Sequence, residues 1–173
     1  ALHFLRGFDV AVVLQRAGTW DRRPWVAPAD GPDAGLREVA ECRVVTVGVR
    51  GIGAAVAERF AALGATCVGV RRRPDAGAPP GFARVVGAAG LDAELGEADV
   101  LVLAAPSTAA TERLLDARRL ALLPRRAIVV NVGRGALVDE GALAERLAAG
   151  ALRGAVLDVT AVEPLPAASP LWG

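Results

Sequence analysis

From residue 42 onward the chain alternates short, almost unbroken apolar runs with longer segments of helical periodicity, and few architectures accept that pattern. The runs are 43–48 (RVVTVG), 66–71 (TCVGVR), 99–104 (DVLVLA), 127–131 (AIVVN) and 152–158 (LRGAVLD), with a weaker one at 84–86. Helical segments fall at about 52–63, 91–97, 108–115, 117–123 and 139–149. A strand that is apolar on both faces must be covered on both, which a parallel sheet achieves with its crossover helices. The alternation therefore predicts βαβ units and an α/β fold built on a doubly wound parallel sheet. A chain of 173 residues, 53% hydrophobic, can bury the core such a sheet needs, and its composition excludes a disordered chain.

The first 35 residues read differently. Leu2, Leu5, Val12 and Val13 fall near helical spacing, with Arg6, Asp9 and Arg16 elsewhere, so 1–17 is expected to be an amphipathic helix ended by Gly18. Residues 18–35 (GTWDRRPWVAPADGPDAG) form a linker rich in Pro, Gly and Asp, with Trp20 and Trp25 expected to pin it to a surface. The expected organisation is an N-terminal helix and linker, 1–35, before the α/β unit, 36–173. The helix and linker could also supply a surface between two copies.

Composition narrows the function classes. Twenty basic residues face 19 acidic ones, which argues against a nucleic-acid binder. Every Lys or Arg position is Arg, and Tyr is absent, so chemistry needing Lys or Tyr is excluded. Cys42 and Cys67 form neither a disulfide framework nor part of a metal-ligand cluster, and read as reduced buried thiols in a cytoplasmic protein. The longest uncharged stretch, Val100 to Thr111, is 12 residues and contains Pro106, too short to span a membrane. Arg6 and Asp9 interrupt the N-terminal apolar run, unlike a signal peptide.

The sharpest local signal is VVTVGVRGIGAAVAERFAALG, residues 44–64. Gly48, Gly51 and Gly53 stand where a strand becomes a helix, and amides at a helix start attract phosphate. Glycines there let a pyrophosphate approach the backbone. In a GxGxxG frame Arg50 takes the place of the second glycine, where it could obstruct a pyrophosphate or pair with it. An NAD-preferring site carries an acid about 20 residues further on. Here that place holds Arg71, followed by Arg72 and Arg73. An acid would repel a ribose 2′-phosphate and an Arg pairs with it, so NADP is expected over NAD. The competing reading is a solvated surface run.

The second half carries a more specific pattern. Residues 99–114 (DVLVLAAPSTAATERL), 124–147 (PRRAIVVNVGRGALVDEGALAERL) and 152–166 (LRGAVLDVTAVEPLP) resemble, in order and spacing, the cofactor domain of the D-isomer-specific 2-hydroxyacid dehydrogenases. The likeness covers about 36–173, and 1–25 more loosely. It implies a Rossmann fold and hydride transfer between a nicotinamide cofactor and a 2-keto or 2-hydroxy acid. It implies that Gly51 and Ile52 offer amides to the pyrophosphate, and that Pro106 and Thr111 line the adenosine and ribose side. Val132 would meet the nicotinamide ribose through its backbone, and Asp158 would hold the carboxamide. Arg134 would bind the substrate carboxylate and polarise the carbonyl, and Glu163 would orient a catalytic histidine. Members of the family commonly dimerise through this domain. Asp139 reads structurally, as the N-cap of the next helix, with Glu140 in its first turn.

The pattern also breaks. The family's histidine should follow the EPLP block, and the only histidine is His3. The chain is therefore expected to be a cofactor domain cut from a longer dehydrogenase, inactive alone. The glycine turn is locally similar to that of the short-chain dehydrogenases, whose catalytic Tyr and Lys this chain lacks. A non-catalytic dinucleotide-sensing or scaffold protein on the same fold is the alternative. Arg50 and the missing histidine suit it, and the presence of both Arg134 and Glu163 weighs against it.

Overall fold

The structure is a computed structural model that describes residues 1–26 and 36–172. The remainder of the expected linker, 27–35, and the last residue of the expected dinucleotide-binding unit, Gly173, lie outside the described residues. Six strands form one sheet: β1 (Arg43–Val47), β2 (Thr66–Val70), β3 (Arg84–Val86), β4 (Val100–Leu103), β5 (Ile128–Asn131) and β6 (Gly154–Leu157). All pairings are parallel, in the order β3-β2-β1-β4-β5-β6. This is the strand order of a doubly wound dinucleotide-binding sheet.

Alternating side chains divide the core in two. Val45, Val47, Leu101, Leu103 and Val129 face one side, under α5 (Leu91–Leu95), α6 (Ala117–Leu122) and α7 (Glu140–Ala148). Val44, Val100, Val102 and Ile128 face the other, under α4 (Ile52–Ala62) and the short α1 (Leu2–Leu5). At the N-terminal ends of the strands Asp99 is buried and accepts from the Arg43 amide (2.7 Å), Arg126 (2.6 Å) and Arg37. Glu94, also buried, bridges Arg43 and Arg84. Buried carboxylates so paired hold strand ends in register and leave no charge unmatched.

Three expectations change. The helix at 1–17 is two helices, α1 and α2 (Phe8–Arg16), broken by Gly7 at φ +64°, where a Cβ would fall 2.5 Å from Trp25 Nε1. Trp25, on the one-turn α3 (Arg23–Val26), thus packs the chain back on Gly7, whereas Trp20 is 90% exposed and pins nothing. Segment 108–115 is not a helix. Leu115 is drawn into a parallel bridge with Val138, its amide donating to Leu137 O and its carbonyl accepting from Asp139. Arg113 sits at φ +46°, and Thr108 and Thr111 spend their hydroxyls on turn bonds. Tertiary pairing overrides a helical pattern this short.

The first residues belong to the core. Leu5 is buried with Cys42 and Val44, and the Phe4 ring lies against Gly154 of β6. Arg153 holds both carboxylate oxygens of Asp9 (2.6 and 2.8 Å), bonds Phe4 O, and lies over the Phe4 ring. His3 stacks edge-on to Phe4.

Candidate functional site

Parallel strands open all their C-terminal ends along one edge. Register sets Val47, Val70, Leu103, Asn131 and Leu157 side by side. The loops that follow begin at Gly48, Arg71, Ala104, Val132 and Asp158. Every candidate residue lies in one of these loops or at the helix start that follows it: Gly48 and Gly51 after β1, with Ile52 and Gly53 opening α4; Arg71 and Arg72 after β2; Pro106 and Thr111 after β4; Val132 and Arg134 after β5; Asp158 and Glu163 after β6. The order in which strands are added reverses between β1 and β4, and ligands of open α/β sheets enter the crevice at such a switch. Asp158 lies three strands from Gly48, about 14 Å at the usual strand spacing.

The glycine turn leaves several backbone amides bare. Gly48 N–H donates to Val70 O at 3.0 Å, Gly53 N–H to Arg50 O at 3.1 Å and Ala55 N–H to Gly51 O at 3.0 Å. The amides of Gly51, Ile52 and Ala54 find no acceptor among the described residues. A Cβ on Gly53 would lie 1.9 Å from Gly48 O, so α4 starts directly against the turn, while no atom lies within 4 Å of a Cβ on Gly51. Unpaired amides at a helix start beside open space suit a diphosphate. Arg50 and Ile52 are exposed.

Beyond β2, Arg71 is partly committed to its own loop. Its Nη2 donates to Pro74 O (2.9 Å) and Gly77 O (2.6 Å), and its buried Nε has no acceptor among the described residues. Arg72 and Arg73 are exposed. After β4, Thr111 Oγ1 donates to Pro106 O (2.8 Å) and accepts from Thr108 N–H (2.8 Å), which holds Pro106 and Thr111 together.

After β5 the turn carrying Arg134 is organised by Asn131, a residue the sequence reading did not single out. Asn131 is 1% exposed; its Oδ1 accepts from Gly133 N–H (3.1 Å) and its Nδ2 donates to Arg134 O (3.0 Å). An Asn side chain bonding the backbone two residues on is a recognised turn device, and Asn-Val-Gly at a strand end was the available signal. Val132 N–H continues the ladder to Leu103 O (3.0 Å), and Arg134 is exposed, its Nη1 on Gly133 O. Asp139 caps α7 through Ala142 N–H and bridges Arg113. The Arg113 hydrogen bond, then the Ala142 amide, holds the Asp139 carboxyl below the usual carboxylate range.

After β6, Asp158 N–H bonds Asn131 O (3.0 Å), and the Asp158 side chain is exposed. Glu163 Oε1 accepts from Thr160 N–H (3.0 Å). This loop meets the Arg134 turn: a Cβ on Gly135 would fall 2.0 Å from the Thr160 carbonyl carbon. The structure thus brings the Arg134 and Glu163 loops into contact. Among the described residues no group of three or more His, Cys, Asp or Glu could hold a metal, and no helix is long and apolar enough to cross a membrane.

The family model for the D-isomer specific 2-hydroxyacid dehydrogenase NAD-binding domain matches residues 1–173. The chain belongs to this family. Glyoxylate/hydroxypyruvate reductase A of Salmonella typhi is 35% identical over 173 residues, covering 99% of this chain and 51% of the relative. Reductase B of Pectobacterium carotovorum is 48% identical over 81 residues, 47% of this chain and 25% of the relative. A 2-hydroxyacid dehydrogenase of Xanthobacter autotrophicus Py2, solved with NADPH and MES, superposes with a TM-score of 0.85 at 37% identity, covering 99% of this chain and 50% of that one. The NADPH-dependent glyoxylate/hydroxypyruvate reductase of Sinorhizobium meliloti, solved with NADP and sulfate, gives 0.84 at 31% identity, covering 99% and 51%. The chain therefore spans about half the length of these 2-hydroxyacid dehydrogenases.

Proposed function

We propose that this domain serves an NADP-dependent reductase of short 2-keto acids, of the glyoxylate or hydroxypyruvate type. The observation that carries the reading is one sheet edge holding bare amides at a glycine turn, a half-buried Arg71 where an NAD-preferring site has an acid with exposed Arg72 beside it, and Arg134, Asp158 and Glu163 on adjoining loops. Relatives crystallised with NADPH or NADP support it.

Bound here, the cofactor would supply a hydride to the carbonyl carbon of the keto acid. The bare amides of Gly51 and Ile52 receive the diphosphate, in a turn that Gly48 and Gly53 keep tight. Arg72, with the part of Arg71 that the loop carbonyls leave free, pairs with the 2′-phosphate. Pro106 and Thr111 line the adenosine side and Val132 the nicotinamide ribose, while Asp158 accepts from the carboxamide. Arg134 pairs with the substrate carboxylate and stabilises the negative charge that develops on the carbonyl oxygen. That oxygen then takes a proton from a histidine that Glu163 orients and favours in its charged form. His3, packed on Phe4, does not supply it.

Fluorescence titration of the chain with NADPH and NADH tests this. Charge-assisted pairing with the 2′-phosphate predicts NADPH tighter by about tenfold or more. Tighter NADH would end the NADP reading, and binding of neither would end the cofactor reading. A second copy of the chain is the proposed partner: α2 buries none of its residues, and Phe8, Val13 and Trp20 are exposed. A monomer across the micromolar range in sedimentation would overturn this. Two unpaired buried thiols support a reducing, cytoplasmic setting.

A further inference from the structure

Asp139 and Glu140 stand together at the start of α7, and the fold gives them different tasks. The Asp139 carboxylate is used locally, on Ala142 N–H and on Arg113. Glu140 reaches outward: its Oε1 accepts from the amide of Ala161, 21 residues away, at 2.6 Å. Ala161 lies between the two residues of its loop that the cofactor reading uses, three after Asp158 and two before Glu163. We propose that Glu140 is a positioning residue that sets the 158–164 loop against the Arg134 turn, and so places Asp158 and Glu163 for the nicotinamide end of the cofactor. This rests on the cofactor reading above.

The loop's other bonds do not do this. Thr160 N–H to Glu163 Oε1 and Thr160 Oγ1 to Val162 O are internal to the loop. They fix its shape and leave its placement free. Asp158 N–H to Asn131 O fixes only the point where the loop leaves the sheet. Among the described residues, one close approach and one hydrogen bond join the loop to the Arg134 turn and the helix after it. The close approach of Gly135 to Thr160 is repulsive at short range and so limits the distance from one side only. The Glu140 bond supplies the attraction. Gly135 is buried and Leu137, at the end of its short 3-10 turn, is 0% exposed, so the surface the loop is pulled against is rigid.

A carboxylate in the first turn of a helix also complements the helix dipole without touching anything. The two roles separate by substitution. Glu140→Gln removes the charge and keeps an oxygen at the same reach, whereas Glu140→Ala removes both, and Glu140→Asp keeps the charge one methylene short. If Glu140 acts as a tether, Gln rescues and Asp does not. If it acts only through the dipole, Asp rescues and Gln does not.

The ligand pair that reads placement is NADPH against adenosine 2′,5′-bisphosphate, which lacks the nicotinamide half. In the full chain, Glu140→Ala and Glu140→Asp should weaken NADPH by about fivefold to tenfold, a loss of one good hydrogen bond's size. Both should leave the bisphosphate unchanged, and Glu140→Gln should bind both as the parent does. Without any ligand, exchange of the Ala161 amide should quicken by at least about tenfold in the Ala and Asp variants and not in Gln. Equal losses for the two ligands, Asp rescuing where Gln fails, or unchanged Ala161 exchange in Glu140→Ala would each overturn the proposal. A parent chain that binds neither ligand would instead overturn the cofactor reading, and the exchange measurement would still decide whether the tether exists.

Discussion

Asn131→Ala tests the architecture of the Arg134 turn most directly. The side chain is 1% exposed and makes two hydrogen bonds, accepting from Gly133 N–H and donating to Arg134 O. Truncation strands them unequally. The Gly133 residue is buried and its amide has no other acceptor among the described residues, so stranding it costs about 1–3 kcal/mol. The Arg134 carbonyl keeps the Leu137 N–H at 3.1 Å, so its loss is that of an ordinary hydrogen bond, about 0.5–1.5 kcal/mol. Together the substitution should destabilise the chain by about 2–4 kcal/mol, which lowers Tm by about 5–12 °C in a domain of this size. Thermal unfolding followed by circular dichroism reads the change. Asn131→Asp adds a pH signature. Its carboxylate would keep the Gly133 amide and face the Arg134 carbonyl in a buried place, so its folded-state pKa is raised. A carboxyl with a raised pKa favours folding when protonated, so this variant should lose stability as pH rises from about 4 towards neutrality. A Tm drop under about 2 °C for Asn131→Ala would mean that Asn131 does not organise the turn.

Three other outcomes follow from named contacts. Arg72→Ala should weaken NADPH about tenfold and leave NADH unchanged, since the contact is with the 2′-phosphate alone; parallel titrations check this, and equal losses for both cofactors would refute it. The Asp139 carboxyl is held low by Arg113 and by the Ala142 amide, so its ionised form favours folding. That contribution is present above about pH 4 and is lost as pH falls through the depressed folded-state value, so the stability gap between the parent and Asp139→Ala in urea should narrow on acidification. A gap that holds steady down to about pH 2 would contradict the bridge. Burial pushes the Cys42 thiol up to about 11, and burial also raises Cys67, so the folded chain should resist an aromatic disulfide reagent at about pH 8 and react only on unfolding. Rapid labelling of either thiol in the folded chain would show that the core around β1 and β2 is open.

Part of the candidate site was legible because it follows from strand ends. Once 43–47, 100–103, 128–131 and 154–157 are parallel strands, Gly48, Val132 and Asp158 must open the loops of one edge. The glycine turn was legible for a similar reason, since glycines at a strand-to-helix turn leave the helix's first amides bare. Arg71 was legible as a position and not as an arrangement. Its place beyond β2 was expected, yet two carbonyls of its own loop occupy its Nη2, which leaves Arg72 as the freer cation. Asn131 and Glu140 were passed over as binding or positioning residues because their chemistry lies in partners that the local sequence does not display.

Taken alone, the order of residues determined the sheet, the two-sided core and the edge that carries the candidate site, because apolar alternation and strand-to-helix punctuation are local properties that act within a few residues. The folded molecule decided the rest. It broke the first helix at Gly7 around Trp25, bonded Arg113 and Leu115 to the backbone of 136–139, and seated the first residues on β6 through Arg153 and Asp9, 144 positions apart. It also tied the Glu163 loop to α7 through Glu140. Each of these is a contact between segments whose separation is set by strand register and helix docking, and a hydrogen bond or close approach is decided by tenths of an ångström that only the assembled backbone supplies.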